Sequence, residues 1–245
     1  MPTALITGVG TIKSIGAGIA QRLAEAGWDL ALTHWSPYDR RLEREVNADQ
    51  NHLSILQSTG VRICRSEFDL ESSSAVENLF VWLRAQLGRA DALVLSHCES
   101  VPSGIMDTSL ESFDRHFAVN VRASWQLIKR FALQVPDSGG SIVALTSDHT
   151  VGNVPYGASK AALDRIVLSC ARELSHLRIR ANVINPGPVD TGWMSDGVRD
   201  ALKQHHPSGE LGTPCNCGDL VTFLLSPEGS WINGQLLKSD GGFSA

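Results

Sequence analysis

A tyrosine and a lysine stand four residues apart in the segment Tyr156-Gly157-Ala158-Ser159-Lys160. Residues at this spacing lie on one face of a helix. A nearby ammonium favours the phenolate and lowers the pKa of a phenol from its ordinary value of about 10. The pair therefore predicts a general acid that protonates a carbonyl oxygen as hydride arrives. A tyrosine and a lysine at this spacing also occur on solvated helix faces. The surrounding sequence therefore decides whether the pair indicates catalysis.

Glycines punctuate the segment 7–18, which reads TGVGTIKSIGAG and lies between a strand-like run and an amphipathic stretch. Glycine permits a tight turn and a close backbone approach to a pyrophosphate, and a following helix N-terminus offers N–H groups to it. Ordinary turns also use glycine. The position directly after the first predicted strand favours a dinucleotide site over a plain turn.

The end of the second predicted strand bears on which dinucleotide binds. NAD-binding chains usually carry an acid there that binds the ribose hydroxyls. This strand ends Thr-His-Trp-Ser at 33–36, and the first acid is Asp39. Lys13, Arg40 and Arg41 are cations that could meet a 2′-phosphate, although the two arginines could equally open a solvated helix. The pattern favours NADP(H) over NAD(H).

Short apolar runs alternate with amphipathic stretches along the whole chain. Strands are predicted at 3–7, 29–34, 61–65, 91–95, 141–146, 179–184 and 234–237. Helices are predicted at 16–26, 40–58, 73–87, 110–134, 156–175 and 217–225. This alternation predicts an α/β fold, a Rossmann-type doubly wound parallel sheet of about seven strands in a single domain over 1–245. The segment 186–215 lacks clear periodicity and is predicted to be a substrate loop.

Composition narrows the classes of function. The net charge is −5, the sequence pI is about 5.9, and no basic run stands out, which argues against nucleic-acid or anionic-membrane binding. No apolar segment approaches the roughly 20 residues that span a bilayer, so a soluble, cytoplasmic protein is expected. Of the five cysteines, Cys215 and Cys217 are close together, but no second ligand cluster accompanies them. No metal site is predicted.

Taken in order, these motifs resemble the short-chain dehydrogenase/reductase family, including members labelled 3-oxoacyl-carrier-protein reductases. The resemblance extends over essentially the whole chain. It rests on the glycine-rich turn, Asp69, Asn120, Ser147, Tyr156 with Lys160, Asn185-Pro186-Gly187 and Asp240-Gly241-Gly242.

The resemblance implies roles for the matching residues. Tyr156 would exchange the proton, Lys160 would hold the nicotinamide ribose, Ser147 would bind the substrate oxygen, and Asn120 would support a proton relay through water. The implied cofactor-binding residues are Gly8, Lys13, Ser14, Ile15, Gly16, Trp35, Asp69, Leu70, Ser96, Tyr156, Lys160, Pro186, Gly187 and Val189. The implied substrate-pocket residues are His149, Trp193 and Met194. Relatives assemble through helices matching 110–134 and 156–175, so a homotetramer or dimer is expected.

Three departures from the family pattern leave alternatives open. The glycine turn is longer than usual and has Ser14 in place of the middle glycine, which is similar to enoyl-thioester reductases. Those enzymes place the lysine farther from the tyrosine, where this chain has Leu163. The usual Asn-Asn-Ala-Gly is replaced at 95–98 by Leu-Ser-His-Cys, and a packed His97 is favoured over a catalytic one.

The third departure is a segment between Ser147 and Tyr156 that is shorter than the family norm. Either Thr146 or Ser147 could therefore face the pocket, and Asp148 or His149 could line it. Carbonyl–alcohol interconversion is the predicted activity. The alternatives are an enoyl-thioester reductase and a catalytically silent dinucleotide sensor.

Overall fold

One parallel sheet of seven strands, in the order β3-β2-β1-β4-β5-β6-β7, organises the fold. It is seen in a computed structural model that describes residues 1–42, 54–192 and 194–245. The strands are β1 Thr3–Thr7, β2 Asp29–His34, β3 Ile63–Glu67, β4 Ala92–Leu95, β5 Gly140–Leu145, β6 Ile179–Asn185 and β7 Leu236–Lys238. The predicted doubly wound parallel sheet is confirmed.

Helices connect successive strands and cover both faces of the sheet. In the described residues they are α1 Ile15–Glu25, α2 Ser36–Arg41, α3 Ala75–Gln86, α4 Leu110–Phe117, α5 Ser124–Ala132, α6 Val154–Glu173, α7 Asp196–His205 and α8 Pro214–Leu225. A π-helical segment, Ala118–Ala123, joins α4 to α5. No helix in this part of the chain has the length and apolarity that a membrane span requires.

The strands are apolar at consecutive positions because both faces of the sheet are buried. Adjacent side chains of a strand point to opposite faces, and Leu5 and Ile6 of β1 accordingly enter two different core clusters. The cluster around Ile6 packs against α1 and α8, and the cluster around Leu5 packs against α3, α5 and α6. The sheet is thereby held rigidly between two helical layers.

The strand order reverses between β1 and β4, which are neighbours in the sheet although two strands separate them in sequence. Ligands of open α/β sheets bind at the carboxyl ends of the strands beside such a switch point. The segments that leave β1, β4, β5 and β6 at this edge contain most of the predicted site residues.

Two helices begin where the sequence analysis did not place them. The structure has α2 at Ser36–Arg41, with Pro37 in its first turn, so it starts before the predicted 40–58. Residues 43–53 of that prediction lie outside the described residues. The predicted loop 186–215 contains α7, capped by the Ser195 hydroxyl. None of the residues of α7 is buried, so no apolar stripe signalled it.

The predicted helix at 110–134 is interrupted. Its middle, Ala118–Ala123, is π-helical, and Asn120 lies inside this segment. A π-helical turn accommodates one extra residue and shifts the direction of the following side chains. Apolar periodicity does not report such a local change.

Candidate active site

The predicted Tyr156 and Lys160 lie together on the first turns of α6, next to the end of β5. The Lys160 Nζ donates a hydrogen bond of 2.8 Å to the Leu145 carbonyl and lies 5.7 Å from the centroid of the Tyr156 ring. Lys160 is only 2% exposed. A buried ammonium fixed to the last residue of a strand has little freedom, so α6 and β5 together set its position.

Burial controls the protonation of this pair. Desolvation raises the pKa of Tyr156 above its ordinary value, with a further increase from Cys98, while a hydrogen bond to Ser147 opposes both. Desolvation also lowers the pKa of Lys160. The net pKa of Tyr156 is therefore raised, in contrast to the lowered pKa expected from the Tyr–Lys spacing, because desolvation has the largest effect. The neutral phenol that burial favours is the form that can donate a proton.

Ser147 faces the tyrosine, and Thr146 is buried behind it. Ser147 lies close enough to Tyr156 to oppose, through hydrogen bonding, the rise in the pKa of the phenol. The Ser147 Oγ also accepts from the His149 backbone N–H at 3.2 Å. Thr146 is 4% exposed, and His149 is exposed at the rim of the site. The shortened segment thus retains a serine beside the phenol.

Asn120 uses its side-chain amide to hold the segment after β4. Its Oδ1 accepts from the Glu99 N–H at 2.7 Å, and its Nδ2 donates to the Glu99 carbonyl and to the Ser159 Oγ, each at 2.9 Å. Ser159 in turn donates to the Tyr156 carbonyl at 2.7 Å. The side chain of Asn120 therefore joins α6 to the β4 loop, instead of facing the reacting groups.

The glycine-rich turn after β1 is closely packed against the backbone after β4. Gly8 has φ +77°, and a Cβ on it would lie 2.6 Å from the His97 backbone. A Cβ on Gly16 would lie 2.8 Å from the Gly8 carbonyl. Ser14 caps α1, with its Oγ accepting from the Ala17 N–H at 3.1 Å, and Ile15 begins the helix. This cradle without side chains at a helix N-terminus fits a pyrophosphate.

The residues around the end of β2 are occupied by contacts within the protein. Arg41 pairs with Glu99, its Nη2 lying 2.5 and 2.6 Å from the two carboxylate oxygens. Asp39 is 5% exposed, and its Oδ2 lies 2.0 Å from where a Cβ on Gly10 would be. Trp35 is 37% exposed, and Arg40 is exposed. Of the cations predicted to bind a 2′-phosphate, Arg41 is therefore paired with Glu99, whereas Arg40 is exposed.

Lys13 points away from β2. Its Cδ would lie 2.9 Å from a Cβ on Gly192, in the segment that follows β6. Its charge also contributes to lowering the pKa of Asp190, after the larger effects of the Gly192 N–H and Arg199. Lys13 thus borders the segment that leads into α7.

Asp69, Leu70 and Ser96 lie where the segments after β3 and β4 turn. The Asp69 Oδ1 accepts from the Glu71 N–H at 3.0 Å, and the Ser96 N–H donates to the Thr7 hydroxyl at 3.2 Å. The side chain of Leu70 is buried in the core, so only its backbone borders the crevice.

The turn after β6 is held from the C-terminal side. Pro186 is buried, Gly187 has φ +61°, and a Cβ on Gly187 would lie 2.4 Å from the Asp240 Cβ. The Asp240 carbonyl also lies 3.0 Å from the His206 Nε2, just after α7. Val189 and Met194 are buried at 5% and 7% exposure, whereas Trp193 lies outside the described residues. The tail around Asp240 connects this turn to the end of α7.

His97 is a packed residue, as favoured from the sequence. It is 8% exposed, its Nδ1 lies 2.7 Å from the Thr7 Oγ1, and its Nε2 lies 3.1 Å from the Val119 carbonyl. Desolvation, helped by the charge of Lys160, lowers the pKa of His97 to about 3. Burial and these two contacts make His97 a packing residue between β1 and the π-helical segment.

Sequence reasoning missed Glu99 and named Cys98 only as part of the unusual segment 95–98. Glu99 is 4% exposed despite its charge, and the Cys98 Sγ lies 4.0 Å from the Tyr38 hydroxyl. The sequence signal that could have identified Glu99 was the position of this acid directly after the unusual segment 95–98. Of Cys215 and Cys217, the latter is buried in the core, and the described residues include no group of three His, Cys, Asp or Glu suited to a metal.

Comparisons with known proteins agree with this geometry. A family model described as Enoyl-(Acyl carrier protein) reductase matches residues 8–244. The oxidoreductase YjdA of Bacillus subtilis is 33% identical, with 98% of this chain and 96% of the relative covered. The 3-oxoacyl-[acyl-carrier-protein] reductase MabA of Mycobacterium tuberculosis is 28% identical, with 94% and 88% covered.

A solved structure extends the likeness to three dimensions. The angucycline C-6 ketoreductase LanV with bound NADP is 30% identical, with a TM-score of 0.87 and coverage of 99% of this chain and 95% of that one. Together with the matched family model and the Tyr156–Lys160 geometry, these likenesses establish that the chain belongs to the short-chain dehydrogenase/reductase family, as an enzyme acting on CH–OH/C=O groups with NAD(P).

Proposed function

We propose that this enzyme is an NADP(H)-dependent carbonyl reductase in which Tyr156 is the general acid in reduction and the general base in oxidation. The observation that carries the proposal is the position of the Lys160 ammonium, which is fixed by the Leu145 carbonyl and lies 5.7 Å from the ring centroid of the half-buried Tyr156, with Ser147 next to the phenol. A carbonyl oxygen that accepts from both hydroxyls would be polarised and protonated at one point.

Each residue of the site has one task in this proposal. Tyr156 donates its phenolic proton to the carbonyl oxygen, and Ser147 donates a hydrogen bond to the same atom. Lys160, held by the Leu145 carbonyl, stabilises the phenolate left behind and binds the ribose. Asn120 positions α6 through Ser159, a change from the proton relay that the family resemblance implied. When bound, the nicotinamide supplies the hydride in reduction and accepts it in oxidation.

The cofactor would lie along the carboxyl edge. Gly8, Ser14, Ile15 and Gly16 would hold the pyrophosphate, and Asp69, Leu70 and Ser96 would border the adenosine. Pro186, Gly187 and Val189 would shape the nicotinamide pocket. NADP(H) is favoured because LanV binds NADP and because Trp35 stands where NAD-binding proteins place an acid.

The decisive experiment compares wild type with Tyr156→Phe. NADPH and NADH are titrated by fluorescence, and turnover of a panel of ketones and aldehydes is followed with the preferred nucleotide. Tyr156→Phe is expected to reduce the rate about 10²- to 10⁴-fold while nucleotide affinity is retained. An undiminished rate in this variant would refute the assignment of the acid.

An enoyl-thioester reductase is the second candidate, favoured by the description of the matching family model. The position of the distant lysine in such enzymes corresponds to Leu163, which is 1% exposed and supplies no ammonium. Assaying a conjugated enoyl thioester beside the corresponding 3-oxoacyl thioester separates the two. Reduction of the enoyl thioester alone would replace the proposed activity with this one.

The segment 186–215 is proposed to be the substrate loop, with α7 as its rigid part. Met194 is buried, and Arg199 donates to its carbonyl at 3.4 Å, so the backbone before α7 is fixed. Met194 and Trp193 would supply the apolar side of the pocket and His149 its exposed rim.

The enzyme is proposed to be a homotetramer. Apolar side chains on α4, on α5 and directly after α5 are exposed, with Leu110 at 76%, Trp125 at 49% and Leu133 at 69%. Surfaces of this kind mark interfaces. Light scattering at micromolar concentration would show about four times the chain mass, and a monomeric mass would defeat the proposal.

A further inference from the structure

Glu99 and Arg41 form an ion pair across the crevice between the end of β2 and the end of β4. The side chain of Glu99 is 5% exposed and that of Arg41 is 41% exposed. One guanidinium nitrogen contacts both carboxylate oxygens, at 2.5 and 2.6 Å. The Arg41 guanidinium also lies 5.3 Å from the centroid of the Tyr38 ring. Three contacts therefore fix the direction of this arginine.

The carboxylate has little freedom to release its partner. Asn120 holds both the N–H and the carbonyl of Glu99, so the backbone that carries the carboxylate is fixed. Arg115 interacts with Glu99 by charge and makes no direct contact with it. Among the described residues, Arg41 is the cation that contacts the Glu99 carboxylate. Withdrawing Arg41 would leave a buried charge unpaired, which is strongly unfavourable.

The two arginines after β2 consequently differ in what they can bind. Arg40 is exposed, and its charge acts on Glu67, an exposed acid. Arg41 is directed inward to Glu99. We infer that Glu99 is a specificity-determining residue: by holding Arg41 it keeps this cation from a 2′-phosphate, so that Arg40 alone of the two distinguishes NADP(H) from NAD(H). This inference rests on the proposed cofactor site.

The inference predicts that removing the charge of Glu99 increases the selectivity for NADPH. Glu99→Gln keeps the size of the side chain and removes the charge that holds Arg41. The released guanidinium can then contact a 2′-phosphate, and a charge-assisted hydrogen bond of this kind favours NADPH by about tenfold over NADH. Loss of an acid would thus increase cofactor selectivity.

The experiment measures the dissociation constants of NADPH and NADH for wild type and for four single variants: Glu99→Gln, Arg41→Met, Arg40→Met and the control Arg172→Met. The double variant Arg41→Met/Glu99→Gln completes a cycle. The ratio of the two constants is the readout, because a general disturbance of the site changes both constants together. Circular dichroism melts verify that each variant is folded, and Arg41→Gln replaces Arg41→Met if the latter does not fold.

Glu99→Gln is expected to raise NADPH selectivity about tenfold, and Arg41→Met and Arg172→Met to leave it within about twofold. The double variant should match Arg41→Met, and Arg40→Met should lose NADPH selectivity. Selective loss of NADPH affinity in Arg41→Met would overturn the inference. An unchanged ratio of the two dissociation constants in Glu99→Gln would also overturn it. A gain in NADPH selectivity that the double variant retains would do the same. Failure of wild type to bind either nucleotide would instead overturn the proposed function.

Discussion

The two ends of the crevice are built in different ways. At the catalytic end (Ser147, Tyr156, Lys160 and Gly187), the polar groups are buried or fixed by short contacts to nearby backbone, as in the bond from Lys160 to Leu145. At the β2 end (Trp35, Asp39, Arg40 and Arg41, with Glu99), charged side chains pair with each other over long distances in sequence. In the proposed function, catalysis at the first end depends on contacts that the fold itself fixes, whereas nucleotide selectivity at the second end depends on which charges are paired.

The largest expected effect lies at the catalytic end. Lys160→Met keeps the aliphatic stem and removes the ammonium next to Tyr156, so the phenolate formed on proton transfer loses its stabilisation. The turnover rate is expected to fall about 100-fold or more.

Steady-state kinetics with a ketone substrate checks this. Lys129→Met, which removes an exposed ammonium above Trp125 on α5, is the matched control and should leave the rate unchanged. Equal losses in the two variants would show that the effect is not specific to the catalytic end.

A comparison of two glycines tests how tightly the crevice is built between these ends. Gly8 and Gly27 have φ of +77° and +82°, but a Cβ on Gly27 meets nothing within 4 Å, whereas on Gly8 it meets the His97 backbone. Gly27→Ala should cost about 1 kcal/mol of unfolding free energy, from backbone strain. Gly8→Ala should cost about 3 kcal/mol and abolish binding of both nucleotides.

Urea denaturation and fluorescence titration measure both effects. Similar unfolding free energies for the two alanine variants would mean that the close approach of Gly8 to the β4 loop is unimportant.

His97, which lies between the two ends, makes the free energy of unfolding depend on pH. Its pKa is lowered from 6.5 to about 3 in the folded protein, so between these values the unfolded chain binds a proton that the folded chain does not. The stabilising effect of a neutral His97 is therefore complete above about pH 6.5 and is lost as the pH falls toward 3. About 2 kcal/mol should disappear between pH 7 and pH 5.

Denaturation at several pH values provides the measurement, with His97→Gln expected to flatten the profile. His176→Gln, at an exposed histidine, is the control and should keep the wild-type slope. A profile of His97→Gln that follows wild type would assign the acid sensitivity to other groups.

The smallest effect concerns Lys13, which the sequence placed at the 2′-phosphate and the structure places against Gly192. Lys13→Met should weaken NADPH and NADH by the same factor, about two- to fivefold, because an exposed cation near the pyrophosphate acts equally on both nucleotides. Selective weakening of NADPH binding would return Lys13 to the 2′-phosphate, where it would act together with Arg40.

The sequence predicted the sheet and the position of Tyr156 and Lys160 on one helix. The apolar runs of the strands are continuous because both faces are buried, and Tyr156 and Lys160 are four residues apart on one helix, so local spacing carries that information. The partners at the β2 end are not local, because Arg41 and Glu99 are 58 residues apart. Between the two ends, Thr7 and His97 are 90 residues apart. Such pairs exist only after the strands are in register.

Three further features could not be predicted from the sequence. The π-helical segment around Asn120 leaves the apolar pattern of its helix nearly intact, and α7 buries none of its residues. The reversal in the pKa of Tyr156 required knowledge of burial, because the Tyr–Lys spacing alone indicates only the charge interaction.

The packing of Asp240 against Gly187 has a consequence for how the enzyme is made. The turn after β6 obtains its packing partner only when the ribosome has synthesised residue 240, and translation of the intervening residues takes roughly 3 to 10 seconds. During this interval the turn and the end of α7 lack the tail that joins them. A nascent chain stalled before Asp240 would therefore lack the contacts that hold the turn after β6 and the end of α7 in place.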